Sequence, residues 1–253
     1  GWWAAPYRAA QIEPEKNALL ALREPGLQGR VVPREALALT CGIDMQKRSF
    51  FFTVWGWAGN LSSWLVDYGR LRTWEDVGAL VFETRYDIEE SSKTMSIWRA
   101  ALDTGGTNTD PNMLTRTEEA YVFLREHAGL GVLFGTKGLS RPRLQPVTWI
   151  TREKLPRSGR PIPGGLALYL LDPGYFKSLL FGRLTLDASQ PARLYEMRQD
   201  ASGAWALAEH KELIKHLESE QLVRGRDGRL SWVQVGRHNH YLDACALAHA
   251  CVH

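Results

Sequence analysis

Residues 36–71, ALALTCGIDMQKRSFFFTVWGWAGNLSSWLVDYGRL, contain three consecutive runs rich in apolar, β-branched and aromatic residues. The runs are ALALTCGID, SFFFTVWGWA and SSWLVDYGRL, and they are separated by MQKR and by GN, which have turn chemistry. Short runs of this kind, joined by short turns, are typical of antiparallel strands. The stretch therefore predicts a three-stranded antiparallel meander.

The rest of the chain alternates between helical and strand patterns. Helices are predicted for TWEDVGALVFETRY, with Thr73 as N-cap, and for TRTEEAYVFLREH, YFKSLLFGRL, ALAEHKELIKHLESEQL and NHYLDACALAHAC. Strands are predicted for SIWRAALD, GVLFG, LALYLL and RLSWVQVG. Strand, helix, strand order after a meander predicts an α/β fold with a mixed β-sheet flanked by helices.

Composition limits the class of protein. The chain has 253 residues, 44% hydrophobic and 23% charged, which is enough for one sizeable core. No apolar run reaches the roughly 18 to 20 residues of a membrane span. Three cysteines without a CxxC pair argue against a disulfide framework and a thiolate zinc site, and favour a reducing compartment.

The first 35 residues differ in character from the rest. They mix proline, glutamate and small residues, and they contain neither a signal-peptide pattern nor an initiating Met. We expect residues 1–35 to be a linker or docking arm of a longer protein, and residues 36–253 to be the folded domain.

Three aspartates occupy positions where a structural role is hard to supply. Asp44 ends the run ALTCGID, Asp103 ends SIWRAALD, and Asp243 lies among apolar neighbours in the last predicted helix. If the first and fourth strands are adjacent, as in an RNase H-like sheet, Asp44 and Asp103 lie side by side, and a helix packed nearby can bring Asp243. The sequence thus predicts one acidic cluster.

Such a cluster implies cations. Carboxylates held close together raise each other's pKa, so the cluster is costly unless something positive neutralises it. Mg²⁺ or Mn²⁺ prefers carboxylate oxygens, and two such ions about 3.5 to 4 Å apart support in-line phosphodiester hydrolysis. We expect Asp44, Asp103 and Asp243 to be both the catalytic and the metal-binding residues.

Simpler interpretations remain open for these acids. An aspartate after a strand is often a turn former or a helix cap, and DTGG after Asp103 has turn chemistry. Asp67 and Glu83 compete for a fourth ligand position, although a solvated or ion-paired role is expected for each.

Residues 137–160, KGLSRPRLQPVTWITREKLPRSGR, contain seven Lys or Arg against one acid. We expect a basic, loop-like segment whose side chains contact nucleic-acid phosphates without reading sequence. The candidates are Lys137, Arg141, Arg143, Arg152, Lys154, Arg157 and Arg160. The alternative is a solvated loop, and for Lys137 a surface lysine at a loop entrance.

Two other classes of site are disfavoured. GVLFGTKG lacks the second glycine and the Ser or Thr of a phosphate-binding loop, so ATP hydrolysis is not expected of this chain. The histidines of the triplet 238–240, with His249 and His253, have no zinc-site spacing, so solvent-facing or capping roles are expected.

Four motifs appear together in a characteristic order. They are LTCGIDMQ, VWGWAGNLSSWLVDYG, ALDTGG, and LESEQLV with NHYLDACALAHA. Over residues 36–253 this combination resembles the C-terminal half of lambda-type phage terminase large subunits, the GpA family. GIDMQ is similar to the family's first-strand signature, and NHYLDA is similar to its closing Asn-x-x-Leu-Asp signature.

The resemblance implies an RNase H-like nuclease that cuts concatemeric double-stranded viral DNA with an acidic cluster and two divalent metal ions. It implies that Asp44, Asp103 and Asp243 take the metal-ligand roles. It also implies an N-terminal packaging ATPase joined through residues 1–35, a small terminase subunit and a portal as partners, and action in the cytoplasm of an infected bacterial host.

Two other functions remain open at this point. One is another RNase H-like nuclease, such as a junction resolvase that acts on branched nucleic acid. The other is a non-catalytic docking module of the packaging motor, whose acids bind no metal.

Overall fold

The structure is a computed structural model that describes residues 16–105, 114–140, 144–185, 188–225 and 228–253. The strands are β1 (Arg23–Gln28), β2 (Val31–Val32), β3 (Ala38–Met45), β4 (Phe50–Trp57), β5 (Ser63–Leu71), β6 (Tyr86–Ile88), β7 (Thr94–Met95), β8 (Ile97–Asp103), β9 (Leu133–Gly138), β10 (Val147–Lys154), β11 (Pro161–Leu171), β12 (Ala192–Gln199), β13 (Trp205–Leu207), β14 (Glu220–Arg224) and β15 (Leu230–Gln234). The helices are α1 (Lys16–Leu20), α2 (Trp74–Gly78), α3 (Arg116–Glu126), α4 (Pro173–Arg183), α5 (Lys211–Leu217) and α6 (His240–Ala250).

A ten-stranded sheet forms the centre of the fold, in the order β1-β12-β5-β4-β3-β8-β9-β11-β10, with β13 paired to β12. Strands β3, β4 and β5 form the predicted antiparallel meander. Strand β8 lies parallel beside β3, and β9 lies parallel beside β8. The predicted α/β fold, a mixed sheet flanked by helices with the RNase H-like strand order, is therefore confirmed.

The central strands are buried on both faces. Every residue of β4 is buried, and in β3 only Ala38 is partly exposed. On one face α2, α3 and the β10–β11 hairpin enclose a core that includes Leu39, Ile43 and Leu124. On the other face α4, α5 and α6 cover Trp55 and its neighbours. This double burial explains why these strands are nearly continuous apolar runs.

Helix α6 lies very close to the backbone of β3. The Thr40 hydroxyl donates a hydrogen bond to the Ala248 carbonyl (2.9 Å). A methyl group at Gly42 would lie 1.9 Å from the Ala244 carbonyl oxygen and 2.5 Å from the Ala248 amide nitrogen. Gly42 therefore permits the main chain of the helix to rest directly on the strand.

The helix after the meander begins as predicted. Thr73 is the N-cap of α2, its hydroxyl accepts from the Asp76 amide, and the Asp76 carboxylate accepts from the Thr73 amide. This reciprocal pair is a capping box. The helix then continues as a π-helical turn, Ala79–Glu83.

Two sequence-based expectations were wrong. Residues 137–160 are not a loop throughout, because β10 pairs with β11 from Val147 to Lys154. The predicted helix ALAEHKELIKHLESEQL is helical only over α5. His210, directly before α5, has a left-handed backbone (φ 49°), and the chain is in strand β14 again from Glu220.

Part of the segment expected to be an arm lies in the sheets. β1 pairs in parallel with β12 at one edge of the main sheet, and β2 pairs with β6. Leu22 and Leu27 are buried on the face of the sheet that α4, α5 and α6 cover. Among the described residues, no helix is both long and apolar enough to pass through a membrane.

Candidate active site

The three predicted aspartates line one cleft. Asp44 lies near the end of β3, Asp103 ends β8, and Asp243 lies in the first turn of α6. Ile43 pairs with Leu102, so the two strand-end aspartates occupy neighbouring positions on adjacent parallel strands. All three aspartates border the same cleft of about 240 Å³. The adjacency expected from the sequence is therefore present.

Asp44 is the central member of the cluster and is only 4% exposed. The side-chain amide of Gln46 donates to its Oδ2 atom at 2.7 Å. The Nδ1 atom of His240 lies 3.0 Å from the same oxygen, which gives an ion pair when the imidazole is protonated. One oxygen of Asp44 is thus already engaged by the protein.

Asp103 carries a raised pKa of about 6. The largest cause is burial, and the negative charge of Asp44 raises the pKa further. The Gly105 amide, which donates to Asp103 Oδ1 at 3.1 Å, and the charge of Lys137 oppose the rise. Asp103 therefore carries negative charge that its surroundings only partly compensate.

Asp243 has a similar electrostatic environment. Burial is the main reason that its pKa rises to about 6, and the charges of Asp44 and Glu220 add to the rise. Lys177, whose Nζ lies 2.8 Å from Asp243 Oδ1, opposes it. The repulsion between Asp44 and each of its two neighbours is what a shared cation would relieve.

Three further residues, which were not predicted from the sequence, complete the site. Lys177 on α4 is 6% exposed, and its Nζ donates to Glu220 Oε1 at 2.7 Å. Burial alone would lower the pKa of Lys177, but Asp243 and Glu220 outweigh it and raise that pKa. Asn239, just before α6, donates to the same Glu220 oxygen at 2.6 Å.

The sequence contained a weak signal for some of these residues. Lys177 interrupts an apolar helical run, YFKSLLFGRL, where a lysine on the buried face needs a partner. Asn239 belongs to the closing motif NHYLDA, four residues before Asp243. Glu220 gave no local signal.

The donor set suits a hard divalent cation, but the carboxylates are not converged. Within the described part of the chain, no group of three or more His, Cys, Asp or Glu side chains is placed so that it could hold a metal ion. Asp44 accepts a hydrogen bond from Gln46 and lies 3.0 Å from His240 Nδ1, and Asp243 pairs with Lys177. Metal binding at this cleft therefore requires side-chain rotation and exchange of these partners.

The competing acids lie elsewhere. Asp67 on β5 pairs with Arg30 at 2.7 Å and accepts a hydrogen bond from the Tyr86 hydroxyl at 3.1 Å. Glu83 ends the π-helical turn after α2. Neither lines the cleft: Asp67 is ion-paired and Glu83 is exposed, which are the roles expected for them.

The predicted basic residues that the structure describes lie on β9 and on the β10–β11 hairpin. Lys137, near the end of β9, is exposed and close enough to lower the pKa of Asp103. Arg141 and Arg143 lie outside the residues that the structure describes.

The other basic residues follow the hairpin onto the α3 side of the sheet. Burial raises the pKa of Tyr121 on α3, and the nearby charge of Arg152 opposes that rise. The backbone amides of Arg157 and Ser158 donate to the Glu118 carboxylate at 3.1 and 2.7 Å. The exposed members of this set are Arg152, Lys154, Arg157 and Arg160.

The histidines do not all have the expected exposed or capping roles. His249 is 0% exposed and packs edge-on against Trp55 and Trp57. Burial lowers its pKa to about 3, so it is neutral and serves the core. His240 instead lies at the acidic cleft and stacks on Phe51.

Known proteins were compared with the whole chain. No curated protein sequence matches it. The large terminase nuclease from thermophilic phage G20c, solved with bound magnesium, is 14% identical over 90% of this chain and 83% of that chain, with a TM-score of 0.39. A second structure of that nuclease is 13% identical over 92% of this chain and 95% of that chain, with a TM-score of 0.41.

The large terminase from another thermophilic bacteriophage is 12% identical over 93% of this chain and 44% of that chain, with a TM-score of 0.41. At the level of sequence families, residues 1–253 match the family described as terminase large subunit gpA, endonuclease domain. The match spans the chain from end to end, and the chain belongs to this family.

Proposed function

We propose that this chain is the metal-dependent nuclease of a phage packaging terminase and that it hydrolyses phosphodiester bonds of double-stranded DNA at the cleft between β3, β8 and α6. The observation that supports this most directly is the meeting of Asp44, Asp103 and Asp243 in one cleft, although they are far apart in the sequence.

In this proposal Asp44 would be the central metal ligand. It adjoins both Asp103 and Asp243, and its charge raises the pKa of each. Asp103 and Asp243 would complete the coordination of two Mg²⁺ or Mn²⁺ ions, since hard divalent ions prefer carboxylate oxygens. Two bound ions supply a nucleophilic water and stabilise the leaving oxygen.

The remaining residues of the site hold the aspartates in position. Gln46 and His240 orient Asp44, while Lys177 links Asp243 to Glu220. Lys177 also keeps part of the negative charge compensated before the metal ions bind. This arrangement keeps the site folded without a cation in place.

Duplex DNA would approach along the side of the cleft where α3 begins. Arg116 donates to the Gln46 carbonyl at 3.2 Å, and Thr117 donates to the Thr104 carbonyl at 2.8 Å. The Glu118 carboxylate accepts hydrogen bonds from the Arg157 and Ser158 amides in the turn between β10 and β11. These bonds keep that turn against the first turn of α3. Lys137, Arg152, Lys154 and Arg157 would contact phosphates from this side, and Arg141 and Arg143, which lie outside the described residues, are proposed as further phosphate contacts.

The wider setting follows from the same proposal. The nuclease would cut concatemeric viral DNA in the cytoplasm of the infected bacterium, as one part of a motor with a packaging ATPase, a small terminase subunit and a portal. Residues 1–35 would include the connection to that ATPase.

A plasmid assay tests this function. Supercoiled plasmid should be nicked and linearised with Mg²⁺ or Mn²⁺ and left intact with chelator. Asp44→Asn should abolish cleavage, whereas the matched control Asp87→Asn, an exposed aspartate on β6, should cleave normally. Full cleavage by Asp44→Asn would contradict the proposal.

Two further measurements separate the rival functions. A strict preference for four-way junctions over linear duplex would indicate a resolvase instead. Calorimetry that detects no Mn²⁺ binding at millimolar concentration would indicate a docking module.

A further inference from the structure

A second pocket adjoins the acidic cleft on the same face of the sheet. It has a volume of about 230 Å³, and Leu171 borders both cavities. We call it the aromatic pocket. Its lining includes Arg99, Phe134, Thr136, Val147, Tyr169 and Leu171, together with the C-terminal end of α6.

Strand register places this pocket in line with the candidate active site. Asp103 pairs with Thr136, Thr136 with Tyr169, and Tyr169 with Trp149. These four residues therefore form one row across β8, β9, β11 and β10. At about 4.8 Å between strands, Tyr169 lies about 10 Å and Trp149 about 14 Å from Asp103.

The two aromatic side chains in this row are only partly covered: Tyr169 packs against the small cluster of Leu171, Phe176 and Ala246 but keeps part of its surface in solvent. Trp149 is 66% exposed on β10, the edge strand of the sheet. Tyr169 is partly exposed, and its ring meets that of Phe134 edge to face, with centroids 5.6 Å apart. One exposed ring and two partly exposed rings thus lie on the same sheet face beside the pocket, and accessible apolar surface of this kind is available for binding.

The charge at the pocket suits an anionic ligand. Arg99 is exposed, stacks over Trp98 at 4.2 Å, and lies 6.0 Å from the Phe134 ring. His253 also lines the pocket, and among the described residues no Asp or Glu side chain does. The surface therefore combines aromatic rings with positive charge, which is the combination that binds single-stranded nucleic acid.

We propose that the aromatic pocket binds an unpaired nucleobase of the DNA strand engaged at the acidic cleft, with Trp149 stacking on a neighbouring base. Paired bases in a duplex keep their faces covered by their neighbours, so rings on a protein surface can stack only on bases that leave the duplex. The inference rests on the proposed nuclease function and adds that the site holds a locally opened strand.

Fluorescence anisotropy with chelator present, so that no cleavage occurs, tests this binding. The probes are a short labelled oligothymidylate and a labelled blunt duplex. Trp149→Ala and Tyr169→Leu should each weaken oligothymidylate binding about tenfold and leave duplex binding within about twofold. Tyr169→Phe keeps the ring and should bind normally.

A matched control comes from the region of the sheet near its other edge. Trp205 on β13 is 41% exposed, so Trp205→Ala removes an exposed tryptophan away from the pocket and should change neither affinity. Unchanged oligothymidylate binding by Trp149→Ala and Tyr169→Leu would overturn the inference, as would an equal loss for both probes. It would also be overturned if sedimentation showed that Trp149→Ala abolishes self-association instead.

The two proposals fail separately. Loss of the nuclease function would appear as cleavage by Asp44→Asn, whereas the binding measurement needs no cleavage. A chain that cuts plasmid but binds oligothymidylate equally well with and without Trp149 would retain the nuclease function and refute only the aromatic pocket.

Discussion

Replacing Lys177 with methionine tests whether a buried cation holds the acidic site together. Lys177 is 6% exposed, and its Nζ lies 2.7 Å from Glu220 and 2.8 Å from Asp243. Methionine fills similar space but leaves both carboxylates without their cation. We therefore expect a large loss of stability in the metal-free protein.

The size of the loss follows from the two contacts. At an effective dielectric constant of about 20, each is worth about 6 kcal/mol of Coulomb attraction. Removing the lysine also removes its own desolvation cost, which offsets much of this attraction. Breaking a buried ion pair from one side costs about 3 to 5 kcal/mol net, and this is the loss we expect for Lys177→Met.

The loss should depend on pH in a defined direction. The pKa of Asp243 in the folded protein is about 6, above its ordinary value of 3.8. Ionisation of Asp243 therefore costs stability as pH rises from about 3.8 to about 6. Without Lys177 the pKa of Asp243 rises further, so the cost in stability extends to higher pH. The difference between wild type and variant should be largest near pH 8 and smaller near pH 5.

Urea unfolding at about pH 5 and about pH 8, with chelator, measures both effects. Lys177→Arg keeps the charge and should lose less stability. Lys211→Met, which removes an exposed lysine from a surface pair with Glu209, should change stability little. A loss below about 1 kcal/mol at pH 8, or the same loss at both pH values, would refute the role assigned to Lys177.

Two further predictions concern the scaffold. Gly42→Ala should cost about 3 kcal/mol or more in thermal unfolding, because its methyl group would collide with α6; Gly129→Ala, which meets nothing within 4 Å, is the control. Burial alone would raise the pKa of Glu118, but hydrogen bonds from Ser158 and neighbouring backbone amides lower it to about 2. Its contribution to stability should be present above about pH 4.5 and lost as pH falls towards 2, and Glu118→Gln should remove that dependence in acid titration.

The central sheet and two of the three aspartates could be predicted because their signals are local. Apolar runs with short turns identify β3, β4 and β5. Asp44 and Asp103 each end such a run, and parallel strands bring their carboxyl ends to one edge. Asp243 follows from a short motif in which it lies four residues after Asn239.

The partners of the aspartates could not be predicted in this way. Lys177 and Glu220 are 43 residues apart, on α4 and at the start of β14, and only the tertiary fold brings them together. A buried charge looks unfavourable in a local pattern, and its compensation becomes visible only in three dimensions.

Strand β10 shows a second limit. Its charged residues Arg152 and Lys154 made the segment look like a solvated loop, but in an edge strand alternate side chains can remain in solvent while the backbone pairs. The exposed Trp149 on the same strand shows that exposure and strand structure are compatible here.

The contact of α6 with β3 through Gly42 determines how the acidic site responds to sequence change. The close approach of the Gly42 backbone to the main chain of α6, together with the hydrogen bond from Thr40 to Ala248, sets the separation between Asp243 on the helix and Asp44 on the strand. Helix α6 therefore rests on β3 at a fixed distance. One methyl group at Gly42 would push the helix away from the strand and so change the distance between the two carboxylates.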